Sequence, residues 1–321
     1  MNKIGVTAAV CLALALTGCG GDGGDGDDGD GPRQVTVGML PIVPTAALYA
    51  GIDQGFFADH DIELEIETGQ GGAALLPAVM SQEIDFATSN PVSLLTARDK
   101  GLDVEAVSHW TSEHEDAADS INAVIAAKDS GITSAKDLEG KTVAINTVQS
   151  MGDLTIREAV RKDGGDPDTV EFIELGFPDM PAALAKGNAD AVWVPEPFMS
   201  GLLAEGNQLV TNPCLVAAPG MPTQLMFTSA TLAEKDPDLV EDMTAALEET
   251  LQYAEDNPDA VREKIPEVNP NIKADTAAKI KLEAFGTDMR EAQLEQIGAL
   301  MEDEGWIENE PDVSGLLGSG E

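Results

Sequence analysis

The stretch VTVGMLPIVPTAALYAGIDQGFF, residues 35–57, predicts the fold most directly. Its opening apolar run, residues 35–40, is long enough for a buried strand, and a proline loop ends it. Thr45 suits the start of a helix, and Gly55 suits its C-terminal end. A strand that passes into a helix in this way presents backbone N–H groups without partners at the helix start. In an open α/β sheet that point lies where ligands bind.

The same pattern of strand, polar turn and helix recurs along the chain. Before the charged loop 111–120, the predicted strands are residues 35–40, 62–66, 84–88 and 104–107. After it, they are residues 122–127, 141–145, 170–175 and 189–194, followed by 223–229. The last part predicts helices at residues 237–255, 258–264, 275–285 and 290–303. Alternating strands and helices favour parallel sheets with crossover helices, including one sheet built from the first four strands.

Two stretches of the chain repeat one arrangement. Residues 78–91, AVMSQEIDFATSNP, parallel residues 183–197, ALAKGNADAVWVPEP. Each contains a helix end, a turn, an aspartate, an apolar strand and a polar exit with proline. Two copies of one unit in two lobes would place Ser89 and Asn90 opposite Glu196 across a cleft. The alternative is that any α/β protein repeats such units of strand, turn and helix, and that these two copies share no cleft.

Composition and charge exclude several classes of partner. Hydrophobic residues make up 43% of the 321 residues, which is enough for a packed core. The formal net charge is −40, from 58 acidic and 18 basic side chains. Nucleic acid is therefore not expected as a partner, because phosphate binding needs a basic face. Direct electrostatic docking on an anionic membrane is not expected either.

The beginning of the chain has the layout of a lipoprotein leader. Residues 1–18 carry Lys3 and then an apolar run that is short for a membrane span. The run ends in Leu-Thr-Gly-Cys, which resembles a bacterial lipobox and predicts removal of the signal peptide and lipidation of Cys19. Residues 19–32 are rich in glycine and aspartate and read as a disordered tether. An ordinary secretory signal is the alternative.

Residues suited to catalysis or metal binding are few. Removal of the leader and lipidation would leave Cys214 as the one free thiol, so no intramolecular disulfide is expected. The histidines are His60, His109 and His114, and no nucleophile elbow, phosphate loop or zinc-protease motif occurs. His109 and His114, with Glu113, Glu115 and Asp116 nearby, could ligate a metal. Their spacing fits no common zinc pattern, and a charged crossing between lobes is the simpler interpretation. We expect no catalytic residue, no metal and no cofactor.

An ordered set of short motifs carries a family resemblance over roughly residues 35–266. The motifs are ALYA (47–50), GFF (55–57), IEL (62–64), EIDF (83–86), DLEGKTVA (137–144), DAVW (190–193) and PEPF (195–198). In this order they resemble the substrate-binding proteins of bacterial ABC importers. The group in question binds sulfonates, taurine, nitrate and thiamine-pyrimidine precursors.

That resemblance implies a periplasmic-binding-protein type II fold, with two α/β lobes around a central cleft. Residues 33–119 and 217–321 would form the first lobe, and residues 120–216 the second. The implied function is capture of a small organic solute, sulfonate-, nitrate- or pyrimidine-like, and its delivery to an ABC permease. The implied protein is a monomer, extracytoplasmic and lipid-anchored to the cell membrane.

The resemblance also places the solute site on loops at strand ends. The expected residues are Pro41, Ile42, Val43, Gly71, Gly72, Ala73, Ser89, Asn90, His109, Thr147, Gln149, Ser150, Met151, Gly152 and Glu196. His109 is the one possible cation in this set and Glu196 is acidic, which favours a neutral, zwitterionic or partly cationic heterocycle over a strong anion. Tyr49 or Trp193 could stack on such a ring, or both could be core residues.

Two other functions remain open at the level of sequence. One relative in the family is a pyrimidine-precursor synthase that consumes its own histidine and carries a cysteine-rich motif. This chain has no cysteine cluster and does have an export leader. A surface lipoprotein without a transport role is the other alternative, and it would not need paired cleft loops.

Overall fold

The computed structural model describes residues 31–318. The predicted signal peptide, the predicted lipidation site Cys19 and nearly all of the tether lie outside the described residues. The strands are β1 (Arg33–Met39), β2 (Ile62–Thr68), β3 (Phe86–Ser89), β4 (Val104–Ser112), β5 (Asn122–Ala126), β6 (Thr142–Ile145), β7 (Glu171–Glu174), β8 (Ala191–Pro195), β9 (Gln208–Thr211), β10 (Pro222–Ser229) and β11 (Ala284–Phe285).

Helices connect and cover these strands. They are α1 (Pro44–Gln54), α2 (Phe56–Asp59), α3 (Gly72–Met80), α4 (Pro91–Asp99), α5 (Met151–Lys162), α6 (Met180–Lys186), α7 (Phe198–Ala204), α8 (Pro213–Ala217), α9 (Ala230–Lys235), α10 (Pro237–Asp256), α11 (Pro258–Val268), α12 (Ala274–Ala277), α13 (Glu291–Asp303) and α14 (Val313–Leu316). Local chemistry explains their ends. Helix α1 has proline in its first turn, and Gly55 ends it with a φ of 87°, a conformation that favours glycine.

The strands form two mixed sheets with the same core arrangement. The first lobe contains the sheet β11-β4-β10-β3-β1-β2, and the second contains β7-β6-β8-β5-β9. In the first, β1 pairs in parallel with β2 and β3, and β10 runs antiparallel beside β3. In the second, β6 pairs in parallel with β7 and β8, and β5 runs antiparallel beside β8. This confirms the expected fold class of two α/β lobes.

Three details of the sequence prediction were wrong. Strand β4 does not extend the parallel set, because antiparallel β10 lies between it and β3. Strand β4 also continues to Ser112, so His109 lies inside a strand rather than in a loop after it. Residues 275–285 are not a helix: helix α12 ends at Ala277 and the chain then extends into β11, which pairs with β4. Pairing with the edge of the sheet overrides the helical spacing of the apolar residues there.

The two aspartates of the repeated stretches have matching structural roles. The backbone N–H of Thr36 donates to the Asp85 carboxylate at 2.8 Å, near the start of β1. In the second lobe, Thr142 N–H donates to Asp190 at 2.9 Å, at the start of β6. Each aspartate therefore fixes its own strand beside the neighbouring parallel strand.

Two apolar clusters stabilise the fold. One covers the outer face of the first sheet and joins Leu48 of α1 to Leu247 of α10. The other contains residues of both lobes, including Leu94 of α4, Ile145 of β6 and Trp193 of β8. Asn90, just after β3, lies 3.0 Å from Ser150, in the turn after β6, so the carboxyl ends of the two parallel strand sets face one another.

Candidate functional site

A cavity lies where the strand ends of the two lobes meet. It is lined from both lobes by Leu40, Ile42, Gly72, Asn90, Ile121, Asn122, Asn146, Met151, Phe177, Trp193, Pro195, Thr223, Gln224 and Glu283. Its volume is about 30 Å³. Ligand pockets usually measure roughly 300–1,000 Å³. An organic solute therefore fits only if the lobes move apart from the described arrangement.

Hydrogen bonds join the lobes beside the cavity. The Asn90 side chain accepts from the backbone N–H of Ser93 at 3.1 Å and so caps α4. Its Nδ2 donates across the gap to Ser150 Oγ at 3.0 Å, and the Ser93 and Ser150 hydroxyls lie 3.1 Å apart. A Cβ at Gly71 would come within 3.0 Å of the Asn146 side chain. The turns after β2, β3 and β6 thus meet at one place.

An aromatic wall closes the second-lobe side. Trp193 lines the cavity, and its ring lies 5.8 Å from that of Phe177 with an angle of 58° between the planes. A Cβ at Gly152 would come within 2.6 Å of the Trp193 ring. Glycine at this position therefore lets the first turn of α5 pack directly on the tryptophan.

A buried carboxylate organises the crossing between the lobes. Glu113, which follows β4, accepts hydrogen bonds from the N–H of His114, the N–H of Ile121 and the side chain of Asn122. Asn122 in turn accepts from Trp193 Nε1 at 3.2 Å. Burial nevertheless raises the pKa of Glu113 above its usual value. This chain of contacts fixes the orientation of two cavity-lining side chains.

Two buried oxygens in the cavity wall have no hydrogen-bond partner in the described chain. They are Gln224 Oε1 at the start of β10 and Glu283 Oε2 just before β11. Gln224 is 7% exposed and Glu283 is 6% exposed. Burial raises the pKa of the Glu283 carboxyl well above its usual range, and the charges of Glu113 and Glu196 add to this. A buried polar atom without a partner costs about 1–3 kcal/mol, so both atoms are candidates for hydrogen bonds to a molecule in the cavity.

Glu196 is turned toward its own helix. Its carboxylate accepts from the Ser200 N–H at 3.1 Å and from the Ser200 hydroxyl at 2.6 Å. Burial raises its pKa, and the hydrogen bonds from Ser200 and the charge of Lys281 oppose that rise. The neighbouring Pro195, rather than Glu196, lies on the cavity wall.

His109 is also satisfied within the protein. Its Nδ1 lies 2.7 Å from the carbonyl oxygen of Gly286, and its Nε2 lies 2.7 Å from Ser112 Oγ. Burial lowers its pKa, which favours the neutral imidazole. It does not supply a cation to the cavity wall.

The expected site residues fall into three groups. Those on the cavity wall are Ile42, Gly72, Asn90 and Met151. Those beside it, in the turns that meet or the helix that packs on Trp193, are Gly71, Thr147, Ser150 and Gly152. Those that the cavity lining does not include are Pro41, Val43, Ala73, Ser89, His109, Gln149 and Glu196. Trp193 lines the cavity, whereas half-buried Tyr49 on α1 does not.

Sequence reasoning missed several wall residues, above all Gln224 and Glu283. Gln224 carried a usable signal, since it is an amide within the otherwise apolar and small-residue strand PTQLMFTS. Glu283 carried none, because its segment was predicted as a helix with many exposed acids. Asn122 and Thr223 occupy strand starts that were predicted without a role in the site.

Among residues 31–318, no helix is long and apolar enough to cross a membrane. Within the same residues, no group of three or more histidine, cysteine or acidic side chains is arranged to hold a metal ion. The described free cysteine, Cys214, is buried.

Solved structures with this fold include several binding proteins. The alkanesulfonate-binding protein SsuA from Xanthomonas axonopodis pv. citri superposes with a TM-score of 0.71 at 17% identity, covering 88% of this chain and 97% of that one. The periplasmic nitrate-binding protein NrtA from Synechocystis gives 0.73 at 12% identity, covering 89% and 85%. A zinc-bound ligand-binding component of an ABC-type import system from Staphylococcus aureus gives 0.74 at 17%, covering 89% and 96%. At these identities the likeness establishes the fold.

Sequence comparison defines the family. The formylaminopyrimidine-binding protein of Halalkalibacterium halodurans is 27% identical over 157 residues, which cover 48% of this chain and 45% of that protein. The match thus spans about half of this curated relative. The model of the family described as NMT1/THI5 like matches residues 44–261. Because that match covers well over half of the described chain, from α1 into α11, this protein belongs to the NMT1/THI5-like family.

Proposed function

We propose that this protein is the extracytoplasmic solute-binding component of an ABC importer. It captures a small organic solute between its two lobes and delivers it, chemically unchanged, to a permease. The observation that carries this proposal is the cavity at the facing strand ends, which contains unpartnered buried oxygens at Gln224 and Glu283. Family membership and the binding-protein folds of the structural neighbours support it.

The chemistry of the cavity favours binding over catalysis. Its polar side chains are amides, one threonine and one carboxyl, and Glu283 has no histidine, cysteine or lysine beside it on the wall. Phe177 and Trp193 offer flat apolar contact to a planar solute. These groups hold and orient a molecule, and none forms a paired nucleophile and base.

A thermal-shift assay tests the proposal. The purified protein is heated with formylaminopyrimidine, other aminopyrimidines, alkanesulfonates and nitrate, which represent the ligands named for the relatives. A solute at 100 times its dissociation constant stabilises the folded state by about 2.7 kcal/mol, so the melting temperature should rise. Failure of every compound to raise it would contradict the proposal.

A pair of variants locates the binding site. Asn146→Trp places a large side chain in the half-buried cavity wall, whereas Asn271→Trp places it on an exposed turn. The shift caused by a bound solute should disappear in the first variant and persist in the second. Equal shifts in both would place the solute elsewhere.

The cellular arrangement is part of the same proposal. Lipidation at Cys19 would hold the monomeric body near the membrane by a glycine- and aspartate-rich tether, and residues 33–119 with 217–321 and residues 120–216 would move as the two lobes. The lipobox-like sequence before Cys19 supports this. Cys19→Ala should release the protein from membranes, and its retention in the membrane fraction would refute lipid anchoring.

A further inference from the structure

The two unpartnered oxygens of the cavity converge on the end of one strand. Gln224 on β10 pairs in register with Thr111 of β4. On the other side of β4, Phe285 of β11 pairs with the same Thr111, and Glu283 precedes it by two residues. Strand β4 therefore holds Gln224 and the Glu283 segment on its two sides. Gln224 Oε1 accepts hydrogen bonds, and Glu283 Oε2 accepts them when its carboxyl is ionised.

The electrostatic surroundings of Glu283 oppose a negative charge. Two buried acids act on its carboxyl, Glu113 from the crossing after β4 and Glu196 from the turn after β8. The nearby basic groups are engaged elsewhere: Lys281 Nζ donates to the carbonyl of Ala118, and His114 Nε2 lies 2.8 Å from the carbonyl of Leu282. The cavity lining contains no lysine, arginine or histidine within the described residues. A sulfonate or nitrate group would enter this cavity without a counter-charge.

We propose that Glu283 is the specificity-determining residue of this site and that it selects solutes that present an amino or other N–H-bearing nitrogen, with Gln224 accepting a second N–H. The inference rests on the proposed solute-binding function and assigns its chemical class. Amines and amino-substituted nitrogen heterocycles can donate to both orphaned oxygens, whereas an aprotic anion has no hydrogen to give to Gln224 and is repelled by the nearby acids. The protein thus shares its fold with proteins named for sulfonate and nitrate but would reject such ligands.

The selectivity has a physical origin in burial. An N–H donor that pairs with Glu283 compensates the free-energy cost of removing that carboxyl from water. A positive charge on the same nitrogen is also attracted to the nearby acids Glu283, Glu113 and Glu196. If the bound nitrogen is cationic, the carboxyl is ionised in the complex. Glu283 then releases its proton to the buffer on binding.

The test uses the purified full-length protein and a library balanced in charge. One half contains amines and aminopyrimidines, among them 4-amino-2-methylpyrimidine with 2,4-dimethylpyrimidine as its partner lacking the amino group. The other half contains methanesulfonate, taurine, nitrate and small carboxylates. Melting temperature identifies binders, and isothermal titration measures their dissociation constants. We expect binders in the first half only, and the amino compound should bind at least tenfold more tightly than its methyl partner.

Variants connect the selectivity to the named side chain. Glu283→Gln keeps the shape but removes the carboxylate, and it should weaken amine binding at least tenfold. Glu248→Gln removes an exposed acid from α10 and should leave binding unchanged. Circular dichroism verifies that each variant is folded. Should Glu283→Gln not fold, Gln224→Leu removes the other orphaned acceptor and should weaken the same binders at least tenfold.

Each outcome has a distinct meaning. Stabilisation by anions alone, or amine affinities that remain unchanged in Glu283→Gln and Gln224→Leu, would overturn the assignment of Glu283 and leave the solute-binding function standing. Stabilisation by no compound at all would overturn the solute-binding function and, with it, this inference. Amine-selective binding that depends on Glu283 supports both.

Discussion

The turn after β3 and the turn after β8 occupy corresponding places in the two lobes, yet their polar side chains do different things. Asn90 caps α4 and also donates across the gap to Ser150. Glu196 gives both carboxylate oxygens to Ser200 in its own lobe. Two copies of one backbone arrangement therefore contribute unequally to the interface. The first lobe supplies the cross-lobe contact and the second supplies a buried charge.

This difference shows how a repeated fold acquires one asymmetric site. The shared features are structural: mixed sheets with the same central strand order, and Asp85 and Asp190 each bonded to the neighbouring parallel strand. The groups that we propose for solute binding each come from one lobe only. Glu283 comes from the C-terminal segment of the first lobe, and the aromatic wall of Trp193 comes from the second.

The largest expected effect concerns the glycines at the two cleft-facing helix starts. A Cβ at Gly72 would come within 2.6 Å of the Ser89 backbone, and one at Gly152 within 2.6 Å of the Trp193 ring. Overpacking of this kind costs about 1–3 kcal/mol, and Gly72→Ala should cost more because backbone yields less than a ring. Urea unfolding measures both.

Gly201→Ala is the matched control for these two substitutions. Gly201 is exposed on α7, and its Cβ would meet nothing within 4 Å. This change should be neutral or stabilising by up to about 1 kcal/mol. Equal losses in all three variants would show that close packing at the cleft is not the cause.

The paired aspartates come next. Asp85→Ala and Asp190→Ala each leave a strand N–H without its carboxylate acceptor and should lower the free energy of unfolding by about 1–2 kcal/mol. Asp85 is half-buried and Asp190 exposed, so the first change should cost more. The corresponding asparagine variants retain an acceptor oxygen and should recover part of the loss. An effect in one lobe only would argue against a shared role.

Substitutions in the turns after β3 and β8 should have smaller effects, the first on solute affinity and the second on stability. Asn90→Ala should weaken solute binding about two- to tenfold by removing a cross-lobe hydrogen bond worth about 0.5–1.5 kcal/mol. Ser200→Ala should lower stability, because it removes the hydroxyl that donates to the buried Glu196 carboxylate, and should leave affinity nearly unchanged. Titration and urea unfolding of both variants decide whether the turns have separate roles.

The last comparison concerns the pH dependence of stability. Because the pKa of Glu283 is raised in the folded protein, the folded state holds more protons than the unfolded state above the ordinary value of 4.5. The free energy of unfolding therefore falls as pH rises through this window. Glu283→Gln removes this contribution, so its stability should decline less steeply. Urea unfolding at pH 5, 6, 7 and 8 compares the two slopes, and parallel slopes would contradict the assignment of the shift.

Much of the architecture followed from sequence because its determinants are local. Prolines and glycines mark helix ends, as Gly55 does for α1, and continuous apolar runs mark the buried parallel strands. The order of motifs then indicated two lobes. The candidate site was harder to predict from sequence, because the residues that line a cavity are brought together only by the tertiary structure. Asn90 and Met151 follow strand ends, were predicted for that reason, and lie on the cavity wall.

The residues that sequence reasoning missed come from places where long-range pairing decides the structure. Residues 275–285 have apolar side chains at helical spacing, but Ala284 and Phe285 pair with the edge of β4 and form a strand. That pairing places Glu283 at the cavity. His109 shows the converse, because β4 continues through it and turns a predicted rim cation into a buried neutral side chain.

Distance measurement between the lobes tests the central claim that they move relative to each other around a solute. Spin labels at Lys186→Cys on α6 and Glu248→Cys on α10 report the separation in a protein that begins at Pro32, where Cys214 is the one native thiol. Cys214 is fully buried, and burial raises its pKa, so it should escape labelling. With a solute that raises the melting temperature, a broad distribution of distances should narrow to one closed state. An identical distribution with and without that solute would contradict the account.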